Sequence, residues 1–259
     1  MATPLSPRLP PCARRPSPSD PQQTTPATTQ PPRPPLESAP NALSPGIARH
    51  GWTHFLVLDF EATCARDDPT QPRWSEIIEW PCVLLDARSL LPVAEFHHFV
   101  RPTERPVLTD FCTELTSITQ TQVDAAEPLE HVLASFNRWL PQAVGSADSA
   151  VLAVTCGEPD LGQMLPRESA RKGLEIPPVL RQYCNIKRPF EQLFGWKGGM
   201  VDMLQHLQLP LLGRHHLGID DARNIARITA RLIELGATVD VTEWASAWKG
   251  GKRKGGRKK

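Results

Sequence analysis

The 259-residue chain has a formal net charge of +1 and no apolar run long enough to cross a bilayer or form a secretory core, so neither a membrane-spanning nor a secreted protein is expected. Its six cysteines are widely spaced without a Cys-x-x-Cys pair, which excludes the usual zinc-site and disulfide-scaffold patterns and favours a reducing compartment, the cytoplasm or the nucleus. The near-neutral total conceals an acidic body, because residues 51–248 hold 17 Lys and Arg against 26 Asp and Glu, whereas residues 249–259 carry seven cations and no acid.

The two ends of the chain differ in composition from the middle. Residues 1–50 hold 14 of the 28 prolines and offer too little apolar surface to form a core. We interpret them as a disordered proline-rich region, residues 51–240 as the folded domain, and residues 241–259 as a C-terminal segment that ends in a basic tail. Targeting to an organelle by the first region stays open, as does a solubilising, nuclear-targeting or RNA-contacting role for the tail.

The first half of the folded domain begins with three predicted strands. The opening strand, 54–61, contains four consecutive apolar residues, and the two apolar runs after it complete an antiparallel meander. Helical periodicity follows, and a wholly apolar run at 150–155 then predicts a strand in the centre of the sheet. Between the 54–61 and 150–155 strands, the predicted elements are the strands 77–85 and 94–100 and the helices 110–115 and 128–140.

The second half predicts more helix than strand. A helix begins at Leu161 and is shortened or kinked by Pro166, and a short edge strand covers 182–186. A long final helix, 220–235, ends at Gly236, a residue type that favours the left-handed conformation of a helix end. Two shorter helical patterns lie before it, at 190–194 and 200–207. The alternation of strands and helices predicts one α/β domain.

Asp59 and Glu61 close the opening strand and share one face of it, because alternate residues of a strand point the same way. Their carboxylates are expected about 6 to 7 Å apart along the chain. Two such charges repel each other unless a cation lies between them, and a hard divalent ion with oxygen ligands fits this position. Considered alone, the pair is equally compatible with two solvated acids in a loop.

Further candidates for chemistry follow where later elements begin. Asp160 comes after the 150–155 strand, Asp220 and Asp221 open the final helix, and His216 lies five residues before Asp221. The ends of strands in an open α/β sheet converge on one crevice, so these groups can meet the first pair of acids there. Such a set suits metal-assisted hydrolysis of a phosphodiester, in which carboxylates hold two ions and a histidine accepts a proton from water.

At this point the sequence resembles a known family. Asp-Phe-Glu-Ala-Thr-Cys at 59–64, Gly-x-x-Asp at 157–160 and His-x-x-x-x-Asp at 216–221 resemble the three motifs of the DEDDh 3′-to-5′ exonucleases. Three further segments look like the Eri-1 branch, the family of the histone-mRNA 3′ exonuclease: 76–81, 111–116 and 218–226. The resemblance extends over roughly residues 52–236.

The resemblance implies a fold and a set of roles. The fold is the ribonuclease H-like α/β fold, with a mixed central sheet of about five strands flanked by helices. His216 is implied as general base and substrate contact, while Phe60 and Ala62 seat the terminal nucleotide through backbone and apolar contact. His215 has the wrong spacing for the base, and Asp220 is the helix-capping neighbour. The implied ligands of two magnesium or manganese ions are Asp59, Glu61, Asp160 and Asp221.

The implied activity is 3′-to-5′ exonucleolytic hydrolysis of RNA, releasing nucleoside monophosphates, with DNA left open as a second substrate. Single-stranded RNA or a 3′ overhang is the expected partner. A non-catalytic RNA-binding adaptor on an exonuclease scaffold is the alternative from another class. One departure concerns Pro159, since close relatives carry an aromatic residue directly before the third acid. Packing against the terminal base is therefore expected to differ, and stem-loop recognition is not carried over.

Overall fold

The structure, a computed structural model, describes residues 51–66, 74–146 and 149–245. The proline-rich region and the basic tail lie outside these residues. Within the described ranges, no helix combines the length and apolar character needed to cross a membrane.

The described residues form one sheet of eight strands, arranged in the order β5-β4-β3-β1-β6-β7-β8 with β2 paired to β3. In chain order the strands are β1 (His54–Leu58), β2 (Glu61–Ala62), β3 (Ile77–Asp86), β4 (Pro92–Arg101), β5 (Glu127–Pro128), β6 (Val151–Thr155), β7 (Gln182–Asn185) and β8 (Glu243–Trp244). Five strands have four residues or more, as many as expected, and three two-residue strands enlarge the sheet. The β1, β3 and β4 strands form the predicted antiparallel meander, whereas β6 is parallel to both β1 and β7.

Helices cover both faces of this sheet. In chain order they are α1 (Asp110–Thr116), α2 (Gln120–Asp124), α3 (Leu129–Val144), α4 (Leu165–Lys172), α5 (Lys187–Phe194), α6 (Met200–His206) and α7 (Gly218–Glu234). A π-helical turn, Pro159–Met164, precedes α4, and a short 3-10 turn, Pro178–Leu180, precedes β7. After α7, Gly236 has a φ of 88°, in the left-handed region that the sequence predicts for this helix end.

Alternation along β1 places its apolar residues in two different cores. Phe55 and Val57 pack with residues of α6 and α7, whereas Leu56 and Leu58 pack with residues of α3 and α4 on the opposite face. A strand buried on both faces is apolar throughout, which explains the continuous run in the sequence. The end of this rigid central strand therefore provides a fixed position for the side chains that follow it.

Two predicted strands differ in the structure. The strand expected over 54–61 is interrupted at residues 59 and 60, because the pairing register places Pro81 opposite Asp59 and proline has no N–H to donate. The strand expected at the edge, β7, is instead covered by β8, which runs antiparallel to it. β8 lies beyond residue 240, where the sequence places the end of the folded domain.

The helix expected from Leu161 begins earlier and in a different form. A proline at position 166 has no N–H, and its ring would clash with the carbonyl group of residue 162 in a continuous α-helix. The chain instead forms a π-helical turn from Pro159, in which the N–H of Leu165 donates to the carbonyl oxygen of Asp160. The α-helix proper starts at Leu165, with Pro166 in its first turn, where a missing N–H costs little.

Candidate active site

Asp59 and Glu61 lie at the interruption between β1 and β2. Their carboxylate oxygens come within 4.8 Å of each other and of a carboxylate oxygen of Asp221, which lies in the first turn of α7. The structure thus brings together three of the acids that the sequence predicts to meet. We call Asp59, Glu61, Asp221 and the nearby Asp160 the carboxylate cluster.

Asp160 enters the site from the neighbouring strand. β6 is parallel to β1, so the carboxyl ends of both strands lie at the same edge of the sheet. Between β6 and Asp160, Gly157 has a φ of 128°, a conformation that side chains rarely adopt. The Oδ1 atom of Asp160 accepts a hydrogen bond of 2.8 Å from the N–H of Phe60. Asp160 therefore holds the interrupted segment after β1 in place, and it lies outside the group of three converging carboxylates.

Two close contacts position the start of α7. Gly218 packs so tightly that a Cβ atom there would lie 2.8 Å from the carbonyl oxygen of Asp59 and 2.9 Å from Oε2 of Glu79. The buried Glu79 carboxylate, which comes from β3, accepts hydrogen bonds from the N–H groups of Gly218 and Ile219 at 3.0 and 3.2 Å. Because free N–H groups at a helix N-terminus favour an anion, these contacts fix the turn that carries Asp221.

His215 and His216 both approach Asp221. Nδ1 of His215 lies 2.9 Å from Oδ2 of Asp221, and the backbone N–H of His216 donates to the same oxygen at 2.8 Å. The two imidazole rings are stacked, with their centroids 3.9 Å apart. His216 has a φ of 67°, which costs a non-glycine residue about 1 to 3 kcal/mol and points to a functional constraint.

Burial raises the pKa values of the whole carboxylate cluster, and repulsion from neighbouring carboxylates raises those of Asp59 and Glu61 further. Burial and the charges of Glu79, Asp221 and Asp160 raise the pKa of Glu61 to about 9. Burial raises the pKa of Asp160 to about 6, although hydrogen bonding from Phe60 and the charge of Lys187 act against this. The pKa values of Asp59 and Asp221 are also raised, mainly by burial. A cation bound among these acids would favour their ionised forms.

His216 shows the opposite shift. Burial lowers its pKa, the neighbouring His215 lowers it further, and Asp221 only partly opposes them. Its imidazole is thus held in the neutral form at physiological pH, which is the form that can accept a proton.

The donor set fits a hard divalent cation. Three carboxylates converge within 4.8 Å, and their oxygens are the ligand type that magnesium and manganese prefer. Oδ1 of Asp221 is buried without a hydrogen-bond partner among the described residues, whereas its Oδ2 has two. A buried carboxylate oxygen without a partner is costly, and a bound cation would remove that cost.

Phe60 and Ala62, the predicted nucleotide contacts, both lie beside the cluster. The Phe60 ring is buried and packs edge-on against Trp80, with the ring centroids 4.9 Å apart. Its N–H is also engaged by Asp160. Ala62 lies in β2, and its carbonyl oxygen accepts from Cys112 Sγ at 3.7 Å. The contact of these two residues with a nucleotide stays a prediction.

Sequence reasoning had assigned no role to Glu79 or Gly218 and had set His215 aside. Glu79 falls inside the 76–81 segment that resembles the Eri-1 branch, and Gly218 opens the 218–226 segment, so both positions were visible in motifs without a function. His97 belongs to the same network, because its Nε2 lies 2.8 Å from Oε1 of Glu79. Only the packing of α7 onto β3 reveals what these residues contact.

Comparison with known proteins gives consistent matches. The Exonuclease family model, RNase_T, matches residues 56–229. ERI1 exoribonuclease 3 from Homo sapiens is 42% identical over 185 residues, which cover 70% of this chain and 54% of that protein. The 3′-5′ exonuclease Snipper from Drosophila melanogaster is 31% identical over 223 residues, covering 81% of this chain and 79% of that protein. The chain spans only 38% of ERI1 exoribonuclease 2 from Danio rerio, with 37% identity.

A solved structure shows the same fold. The nuclease domain of 3′hExo, described as a DEDDh family member bound to rAMP, superposes with a TM-score of 0.71 at 32% identity. The match covers 74% of this chain and 98% of that domain. The expected ribonuclease H-like fold is therefore confirmed, with more strands than predicted.

Proposed function

The chain belongs to the RNase_T exonuclease family, and we propose that it is a metal-dependent exoribonuclease that removes nucleoside monophosphates from the 3′ end of RNA. The observation that carries the proposal is the convergence of carboxylate oxygens of Asp59, Glu61 and Asp221 within 4.8 Å, and one buried oxygen of Asp221 has no hydrogen-bond partner among the described residues. RNA is the proposed substrate because the ERI1 relatives are named as exoribonucleases and the 3′hExo structure contains rAMP.

The family uses divalent metal ions, and the carboxylate cluster is the proposed site for two magnesium or manganese ions. Ions bound there would supply Lewis-acid chemistry, lowering the pKa of a water molecule and offsetting the charge on the departing 3′ oxygen. Asp221 would offer Oδ1 to such an ion while its Oδ2 stays bonded to the His215–His216 loop.

His216 is the proposed general base. Its lowered pKa keeps the ring neutral, so it can take the proton from the attacking water. The hydrogen bond from its backbone to Asp221 holds the residue beside the cluster in a left-handed conformation. Oxygen from water then forms the new bond to phosphorus, the bond to the 3′ oxygen breaks, and a nucleoside 5′-monophosphate leaves.

The test is digestion of a 5′-labelled RNA that carries a 3′-hydroxyl, using the purified full chain. With magnesium, the expected product pattern is a ladder that shortens with time, and EDTA should stop it. Asp59→Asn and Asp221→Asn should lower the rate by at least about 10²-fold, the scale of removing one catalytic group. Asp86→Asn is the matched control, because Asp86 lies at the opposite end of β3 and its carboxylate accepts, among the described residues, from Arg88 and Ser89 of its own turn.

Two results would reject the proposal. Wild-type protein that leaves RNA intact with magnesium and with manganese would contradict it, and tight RNA retention without turnover would instead favour the adaptor. Full activity in Asp59→Asn would place the chemistry elsewhere. DNA of the same sequence, digested in parallel, decides whether the enzyme also accepts deoxyribonucleotides.

A further inference from the structure

A groove with basic and aromatic side chains borders the carboxylate cluster. It has a volume of about 120 Å³ and is open to solvent. The residues that line it include Trp74, Ser75, Pro159, Met164, Arg167 and Arg171. We call it the α4 groove, because both arginines belong to helix α4.

The α4 groove adjoins the cluster on two sides. Pro159 precedes Asp160 directly in the π-helical turn. On the other side, Ser75 precedes Glu76, whose carbonyl oxygen accepts from the N–H of Thr63, two residues after Glu61. An RNA strand that leaves the cluster on the side of Pro159 would therefore meet the groove.

Arg171 and Trp74 form a preorganised pair in this groove. The guanidinium carbon of Arg171 lies 4.4 Å from the centroid of the Trp74 ring, a cation–π contact. Arg171 also donates to the carbonyl oxygen of Ser75 and to the carboxylate of Glu104, each at 3.0 Å. Aromatic rings and guanidinium planes are the surfaces on which single-stranded bases stack, and fixing them in advance lowers the cost of binding.

Arg167 supplies a charge that the fold does not use. It is exposed, and among the described residues none forms an ion pair or hydrogen bond with its guanidinium group. Arg167 and Arg171 are four residues apart on α4, so they lie on one face of the helix, about one turn apart. Because residues 51–248 carry a net charge of −9, such a local basic feature is needed to attract a polyanion.

Resting on the proposed exonuclease function, we propose that the α4 groove binds the nucleotides immediately 5′ of the terminal nucleotide in single-stranded RNA. Arg167 contacts a phosphate, and a base stacks on the Trp74–Arg171 pair. The groove thus sets the affinity for RNA longer than one nucleotide without entering the chemistry of hydrolysis.

The test measures binding separately from turnover. Full-length protein in a calcium buffer is titrated into a fluorescent 12-nucleotide single-stranded RNA, and binding is followed by anisotropy. A parallel titration in EDTA checks that turnover does not contribute. Arg167→Gln should raise Kd about 3- to 10-fold and reduce the slope of log Kd against log salt by about 0.7, the value for one phosphate contact. Arg88→Gln, in the turn after β3 at the far end of the sheet, is the matched control and should match wild type.

Trp74 variants separate stacking from folding. Trp74→Leu should raise Kd about 5- to 150-fold, the range for losing one stacked base, whereas Trp74→Phe should restore most of the affinity. Equal Kd values for Arg167→Gln, Arg88→Gln and wild type, or equal losses in Trp74→Leu and Trp74→Phe, would overturn the proposal. Competition by polyglutamate as strong as that by RNA would also overturn it, because the groove would then be a site for acidic peptides.

Hydrolysis of a nucleoside 5′-(p-nitrophenyl phosphate) distinguishes the two proposals. This ester fills only the terminal position, so Arg167→Gln should cleave it at the wild-type rate with magnesium while losing affinity for the 12-mer. If Arg167→Gln binds the 12-mer with wild-type affinity and hydrolyses the ester normally, the groove proposal is rejected and the exonuclease proposal is not. If wild type hydrolyses neither ester nor RNA, the exonuclease proposal fails, and the Kd comparison still decides the groove.

Discussion

Replacing Glu79 tests whether its hydrogen bonds from strand β3 hold the start of α7, and with it Asp221, in the site. The Glu79 carboxylate is fully buried and accepts two hydrogen bonds from the start of α7 and one from His97. Glu79→Ala would leave the N–H groups of Gly218 and Ile219 without their acceptor in a buried position. It would also remove a negative charge from the helix N-terminus.

The expected cost follows from these contacts. Each buried N–H group left without an acceptor costs about 1 to 3 kcal/mol, so losing both bonds costs about 2 to 6 kcal/mol, and a domain of this size loses about 2 to 4 °C in Tm per kcal/mol. Glu79→Ala should therefore lower Tm by about 4 to 24 °C. Glu79→Gln keeps one acceptor oxygen and should lower it less. Since α7 carries Asp221, both variants should also need more magnesium for activity.

Thermal denaturation followed by circular dichroism, in EDTA, measures this effect. Glu95→Ala is the control, because Glu95 lies on the neighbouring strand β4 and forms an exposed ion pair with Arg223 at 2.7 Å. An exposed pair contributes only about 0.2 to 1 kcal/mol, so its Tm should change little. A Tm for Glu79→Ala within about 2 °C of wild type would refute the reasoning.

Three other predictions concern the site itself. His216→Ala should lower kcat about 10²- to 10⁴-fold at any magnesium concentration in steady-state kinetics. His215→Ala loses the bond that orients Asp221 and the stacking contact with His216, so it should raise the magnesium requirement about 10- to 100-fold and be rescued by excess ion. Gly218→Ala should lower activity about 10²-fold, because its new Cβ would push against the carbonyl oxygen of Asp59 and move the start of α7 away from β1. Wild-type kinetics in this variant would argue against that close packing. In the folded, metal-free protein the raised pKa values mean that the cluster binds protons which the unfolded chain releases. The free energy of unfolding should therefore fall as pH rises from about 4.5, the ordinary pKa of a glutamate, to about 9, the pKa of Glu61. Denaturation in EDTA and in saturating magnesium checks this, since a flat profile in EDTA or the same decline with magnesium would contradict it.

The sequence was sufficient to predict where the acids meet, for a physical reason. Asp59 follows a strand that is apolar throughout because both of its faces are buried, and Asp160 follows a second strand of the same kind. Such strands lie parallel in the centre of a sheet, and the groups at their carboxyl ends become neighbours. The final helix was equally predictable, from the helical spacing of its apolar residues and from Gly236 at its end.

What sequence reasoning missed depends on pairing and packing over long distances. The break after β1 arises because Pro81 faces Asp59, which requires the register between two strands that lie some twenty residues apart. The role of Glu79 becomes visible only once α7 lies on β3. The packing of Phe60 on Trp80 likewise depends on the position of β3 beside β1.

The central claim is that the carboxylate cluster directs water onto the terminal phosphodiester of RNA. Its most direct test is hydrolysis of a 3′-hydroxyl RNA in water enriched in oxygen-18, with magnesium, followed by mass spectrometry of the products. Wild-type protein should release nucleoside 5′-monophosphates that carry one oxygen-18 atom in the phosphate, and Asp59→Asn should release no product above background. Cyclic or 3′-phosphorylated products, or the same labelled products from Asp59→Asn, would contradict it.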